Sequence, residues 1–172
     1  MGEKIITSFG TAFLDPKDKL YSEIKILGSI CAEKGYTVCC GGYYGTMEAI
    51  CNGAITTGGK TIGVTIANRN VKPNDYLSEV IEKVNLMDRI TALIGIADCY
   101  LVFKGGTGTL LEISAVLEMM NKKLIPEKKM IFYSDFWKNM INTLEQDSEN
   151  LKSLINKNII FINSPDELKS LI

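Results

Sequence analysis

"CYLVFKGGTGTLLE", residues 99–112, carries an apolar run straight into a glycine-rich turn and then into a helical pattern that reaches about Lys122. A short, continuously apolar segment closed by glycine reads as a strand covered on both faces. The glycines at 105, 106 and 108 cost conformational entropy, so this turn needs close backbone approach. A strand, a tight turn and a helix in that order make half of a βαβ unit.

The same unit recurs on either side. "KIITSFG" (4–10) is a strand ending in Gly10. "DPKDKLYSEIKILGSICAEKG" (15–35) opens with Asp15 as cap and Pro16 at the first helical position. It then carries Leu20, Ile24, Leu27 and Cys31 at helical spacing and stops at Gly35. "YTVCC" (36–40) is a second strand, and "GGYYGTMEAICNGAITTGG" (41–59) turns through glycines into a helix. "KTIGVTI" (60–66) is a third strand, "ANRNVKPNDY" (67–76) a polar loop, and 78–85 holds a short extra strand. "MDRITALIGIAD" (87–98) is a helix leading into the strand at 99–103. "KKMIFY" (128–133) and "KNIIFI" (157–162) are further strands. "SDFWKNMINTLEQ" (134–146) is an amphipathic helix capped by Ser134, and "SPDELKSLI" (164–172) begins with Ser164 and Glu167 in capping-box register.

Alternating strands and helices predict an α/β fold: a three-layer, doubly wound, Rossmann-like parallel sheet in a single domain spanning 1–172. In the usual 3-2-1-4-5-6 order, ligands bind beyond the carboxyl ends of the strands where the order reverses. The loops meeting there are "FGTAF" (9–13), "CGGYYGT" (40–46) and "KGGTGT" (104–109).

Composition narrows the chemistry. The chain has 172 residues, 46% hydrophobic and 23% charged, with net charge −1, which offers no electrostatic footprint for nucleic acid or an anionic membrane. No apolar stretch nears the roughly 20 residues of a membrane helix. The opening "MGEKIITSFG" lacks a signal-peptide layout. Five cysteines without C-x-x-C spacing read as buried reduced thiols, so a reducing compartment, the cytoplasm, is expected. Histidine is absent, which excludes Ser-His-Asp catalysis and histidine metal sites, and no metal or cofactor is expected.

A helix N-terminus presents unpaired N–H groups and partial positive charge, and glycine lets phosphate oxygens reach them. Gly105, Gly106, Thr107, Gly108 and Thr109 are therefore a candidate phosphate cradle. Gly41, Gly42, Gly45 and Thr46 in the second loop, and Gly10 in the first, are candidate nucleotide contacts. Two bland readings stand beside these. Thr109 and Glu112 fit a T-x-x-E capping box, and Glu48 fits a dipole partner of its helix. Arg89 lies near a helix start, where a cation is disfavoured; it is either half of a surface ion pair or a partner for an anionic ligand or for Glu112. Tyr43 and Tyr44 are candidates to stack on a base.

"CGGYYGTMEAICNGA", "MDRITALIGIAD" and "KGGTGTLLE", in this order and spacing, resemble the LONELY GUY (LOG) family, once labelled lysine decarboxylases, over roughly residues 4 to 145. That family's mark is P-G-G-x-G-T-x-x-E, preceded by a helix opening with a Met and an Arg. The resemblance implies a homodimer that hydrolyses a nucleoside 5′-monophosphate, such as AMP or a cytokinin riboside monophosphate, to free base and ribose 5-phosphate. It makes Arg89 and Glu112 the catalytic pair and residues 105–109 the phosphate turn. Lys104 replaces the motif's proline, and Ile90 replaces the lysine that usually follows the Arg. The alternative is a non-catalytic binding protein for a nucleotide or the molybdenum cofactor, related to the molybdenum-cofactor carriers; a nucleotide sensor is a third reading. Leu117, Met119 and Met120 are candidates for a dimer interface or for a core stripe.

Overall fold

In this computed structural model the described residues are 2–67 and 69–172. Met1, and Asn68 inside the polar loop expected over 67–76, lie outside them. The chain runs β1 (Lys4–Phe9), α1 (Lys19–Glu33), β2 (Tyr36–Cys40), α2 (Thr46–Thr56), β3 (Thr61–Ile66), β4 (Glu79–Lys83) and α3 (Leu86–Ile96). It continues with β5 (Cys99–Val102), α4 (Thr107–Asn121), β6 (Met130–Tyr133), α5 (Lys138–Leu144), α6 (Glu149–Asn158), β7 (Ile159–Ile162) and α7 (Pro165–Leu171). The sheet is seven-stranded in the order β4-β3-β2-β1-β5-β6-β7, and every pairing is parallel. The expected 3-2-1-4-5-6 arrangement is present with one edge strand added. The extra strand from 78–85 is β4, paired outside β3.

Strand side chains alternate between two cores, as the period of two requires. Val38 and Cys40 of β2 face one side and Cys39 the other; Leu101 of β5 joins the first, Tyr100 and Val102 the second. Helices α1, α2 and α7 cover the first face, and α3 to α6 the second. These are the three layers of a Rossmann-like fold. Leu117 and Met120 go into the second core with Met119 packed against it, so the core takes the residues considered for an interface. The exposed leucines of α4 are Leu110 and Leu111.

Four helix starts differ from the sequence expectation, one of them α7, where Ser164 is the N-cap but its side chain caps no backbone N–H and Glu167 accepts from Asn163 N and the Ser164 hydroxyl. Asp15 and Pro16 form a turn ahead of α1, with the Asp15 carboxylate accepting from Lys17 N, and the cap is Asp18. Ser134 is not a helix cap: it sits at φ 74, and α5 begins only at Lys138. Its backbone N–H instead donates to the Ile162 carbonyl at 2.8 Å. Helix α6 was not anticipated; Ser148 caps it by accepting from Leu151 N at 3.3 Å.

β1 pairs with both β2 and β5, so the sheet's direction of winding changes between β1 and β5. The loops after β1, β2 and β5 leave the same edge of the sheet there, and the site lies at that edge.

Candidate functional site

A cavity of about 440 Å³ opens at this edge, within the roughly 300–1,000 Å³ typical of small-molecule sites. Gly10 to Phe13 line it from the first loop, and Gly41, Tyr43, Tyr44 and Met47 from the second. Gly106 to Thr109 and Glu112 line it from α4, and Arg89 from α3. The three loops converge as expected. Gly42, Gly45, Thr46 and Gly105 are not among the lining residues: Gly45 and Thr46 pack on the first loop, Gly42 on β3 and Gly105 on Thr109.

Arg89 is the most constrained side chain in the site. It is buried in the second turn of α3, with 8% exposure. Its Nε donates to the Val64 carbonyl at 2.7 Å and its NH2 to the Gly41 carbonyl at 3.0 Å. A Cβ on Gly41 would lie 1.8 Å from that NH2, so only glycine lets the guanidinium approach the backbone here. The remaining NH1 faces the Glu112 carboxylate at 3.9 Å. The surface ion pair is excluded: Asp88 is occupied in a reciprocal cap with Asn85, at 2.9 Å in each direction.

Glu112 belongs to the second turn of α4, and its side chain is 12% exposed. The T-x-x-E capping box does not form. The N-cap of α4 is Gly106, and Thr109 lies inside the first turn. The carboxylate points to Arg89 instead. Burial pushes its pKa from the ordinary 4.5 up to about 7, against the downward pull of Arg89. A carboxyl group that titrates near neutrality in a cleft is suited to proton transfer.

The first backbone bond of α4 runs from Leu110 N to the Gly106 carbonyl, so the amides of 107–109 precede the helical ladder. Cβ atoms on Gly106 or Gly108 would meet nothing within 4 Å, whereas one on Gly105 would strike Thr109 Oγ1. The cradle is therefore open where an anion would approach and packed only at its base.

The first loop is pinned to both others. Thr11 N donates to the Lys104 carbonyl at 3.1 Å, while Thr46 N and Oγ1 both donate to the Thr11 carbonyl at 3.0 Å. Lys104 thus contributes its backbone carbonyl, which a proline would supply equally, and its side chain is exposed. Gly45, at φ 68, leaves room for Thr11 and Ala12 to pack on the start of α2.

Tyr43 does not offer a free face to a base. It is buried, its hydroxyl accepts from Ile66 N at 3.2 Å, and the guanidinium carbons of Arg69 and Arg89 lie 5.0 and 5.7 Å from its ring centre. Tyr44, 43% exposed, remains at the mouth. Glu48 lies in the first turn of α2 and not on the cavity wall, as its dipole reading expects. Sequence reasoning missed Met47, Arg69 and Val71 as lining residues, and it placed the loop at 9–13 here without singling out Phe13.

All five cysteines are free and buried. Cys40 and Cys51 lie 3.4 Å apart, sulfur to sulfur, beneath the second loop. Among the described residues, no helix is long and apolar enough to cross a membrane, and no group of three or more His, Cys, Asp or Glu is placed to hold a metal.

No curated protein matches the chain. Among solved structures, the structural-genomics target TM1055 superposes with a TM-score of 0.78 at 24% identity, covering 98% of this chain and 97% of that one. The molybdenum cofactor binding protein from the phototrophic bacterium Rippkaea orientalis gives 0.78 at 23% identity, covering 99% and 96%. The molybdenum cofactor carrier protein MCP from Chlamydomonas reinhardtii gives 0.77 at 17% identity, again covering 99% and 96%. At these identities the likeness is one of fold. Residues 3–164, nearly the whole chain, match the SLOG cluster4 family, a LOG-like Rossmann-fold group, and the protein belongs to that family.

Proposed function

We propose that the protein hydrolyses the N-glycosidic bond of a nucleoside 5′-monophosphate, AMP or a close relative such as a cytokinin riboside monophosphate, to free base and ribose 5-phosphate. The observation that carries this reading is Glu112: a buried carboxyl group shifted to about 7, facing a pinned Arg89, one turn from the open amides of α4. The phosphate binds the amides of Thr107, Gly108 and Thr109, helped by the Thr107 hydroxyl. Phosphate binding fixes the ribose over Glu112, so binding energy distant from the reacting bond aligns it.

In the reaction, the bond between ribose C1′ and the base nitrogen breaks and its electron pair stays with the base. Positive charge builds on the ribose, and the ionised Glu112 stabilises it. The oxygen of a water held by that carboxylate bonds to C1′. One water proton passes to Glu112 and on to the base nitrogen, so the products are base N–H and ribose C1′–OH. Arg89 acts through Glu112. With two of its nitrogens bonded to backbone carbonyls, it holds part of the Glu112 population ionised at neutral pH and is not free to follow the phosphate.

The same reading takes the chain as one nucleotide-binding domain over 1–172, active as a cytoplasmic homodimer. Incubation with a panel of nucleoside monophosphates, with released base measured by chromatography, tests it. Release lost in Glu112→Gln with binding retained supports the enzyme.

The second reading, a carrier without turnover, is favoured by the fold shared with proteins described as molybdenum cofactor binding and carrier proteins. A carrier needs the open α4 turn but has no use for a carboxyl group shifted to neutrality. Binding of members of the panel without release of base from any of them would put this reading ahead.

A further inference from the structure

We propose that Phe13 is the platform on which the ligand's planar heteroaromatic ring stacks, and so the residue that makes the site favour ligands carrying such a ring. This inference rests on the nucleotide reading above.

Phe13 is 95% exposed, the most exposed of the large apolar side chains among the described residues, and it lines the cavity. Its position is imposed by its surroundings. On one side Thr11 is tied to Lys104 and Thr46, and the Phe13 N–H donates to Thr11 Oγ1 at 3.0 Å. On the other side Leu14 is buried in the core. A turn whose backbone is held at both ends thus presents a phenyl ring to solvent at the cavity, so the ring's point of attachment is fixed before a ligand arrives.

Tyr44 and Val71, 43% and 40% exposed, line the same cavity. The α4 end offers amides, hydroxyls and Glu112. The cavity therefore has an apolar, aromatic part and a polar part suited to an anion. A ligand matching both has a flat ring at one end and a phosphate at the other, as a nucleoside monophosphate does. Stacking on an aromatic face tolerates any base and suits purines through their larger area.

Calorimetric titration of AMP and of ribose 5-phosphate tests this, in a Glu112→Gln background so that AMP is not consumed. Phe13→Ala is expected to weaken AMP binding about tenfold or more while changing ribose 5-phosphate binding less than about twofold, and Phe13→Trp to retain AMP affinity. The melting temperature of Phe13→Ala should be unchanged, because its exposed ring supports no packing. Unchanged AMP binding, or equal weakening of both ligands, overturns the platform while leaving the nucleotide reading intact. Altered self-association without altered AMP affinity would assign Phe13 to an interface and overturn it too. If the parent binds neither probe, the nucleotide reading fails and the platform with it.

Discussion

The two glycine turns that face each other across the cavity look alike in sequence and do opposite jobs. In the turn before α2, a Cβ on Gly41 would strike Arg89, one on Gly42 would meet Thr65, and one on Gly45 would meet the backbone of Thr11 and Ala12. In the turn before α4, a Cβ on Gly106 or Gly108 would meet nothing within 4 Å, and Gly105 alone is packed, against Thr109 of the same turn. The first set of glycines lets the protein approach itself, and Gly41 among them positions Arg89. The second keeps the backbone open to a ligand. Glycine count alone does not distinguish a binding loop from a packing loop; what a Cβ would touch does.

The largest effect that would sharpen this contrast is expected from Gly41→Ala. The methyl must displace the Arg89 guanidinium, so stability should fall by about 2–3 kcal/mol and base release by about 100-fold. Chemical denaturation and a base-release assay check it. Near-normal values for both would break the account of Arg89.

Glu112→Gln is expected to change stability by a similar amount with the opposite sign. The folded pKa of about 7 lies above the ordinary 4.5, so the folded state holds the proton more tightly. The stability this contributes is fully present below about pH 4.5 and is lost as pH rises through about 7. That rise corresponds to roughly 3 kcal/mol. Glu112→Gln, which resembles the protonated form, should therefore be more stable than the parent by that order at about pH 8 and level with it at about pH 4. Melting curves across pH read this directly, and a gap that widened toward acid would contradict it.

Gly108→Ala should act on binding more than on folding. With no atom to strike, it should leave stability unchanged or raise it by roughly 0.5 kcal/mol, while weakening ribose 5-phosphate several-fold. A fold as damaged as in Gly41→Ala would erase the contrast between the turns. The smallest effect is expected from Lys104→Pro. The Lys104 carbonyl that holds Thr11 is retained, so the melting transition should move by less than about 1 kcal/mol and base release should persist.

The fold was legible because its signals are local. Short apolar strands alternate with helices, and each turn carries glycine where the site lies. Arg89 stood out by its place near a helix start, whereas the position of Glu112 equally fitted a cap, and the pairing of the two came from the resemblance to the LOG family. What holds Arg89 was not legible: the carbonyls of Val64 and Gly41 are 25 and 48 residues away in sequence, and backbone acceptors carry no residue signature. Tyr43 looked available for stacking because the hydroxyl bond to Ile66 and the approach of two arginines exist only in three dimensions. Helix α6 escaped notice because "SENLKSLINKN" is polar at most positions, though Ser148 was a readable cap. Phe13 lay in a loop assigned to the site, but its role there was not legible, because an apolar residue in a turn reads as buried until its exposure is seen.

The most direct test of the central claim is the rate of base release from AMP between about pH 5 and pH 9. The account predicts release that rises through an apparent pKa near 7 in the parent and is abolished in Glu112→Gln, with AMP still bound. AMP binding without base release at any pH, or release unaltered in Glu112→Gln, would contradict it.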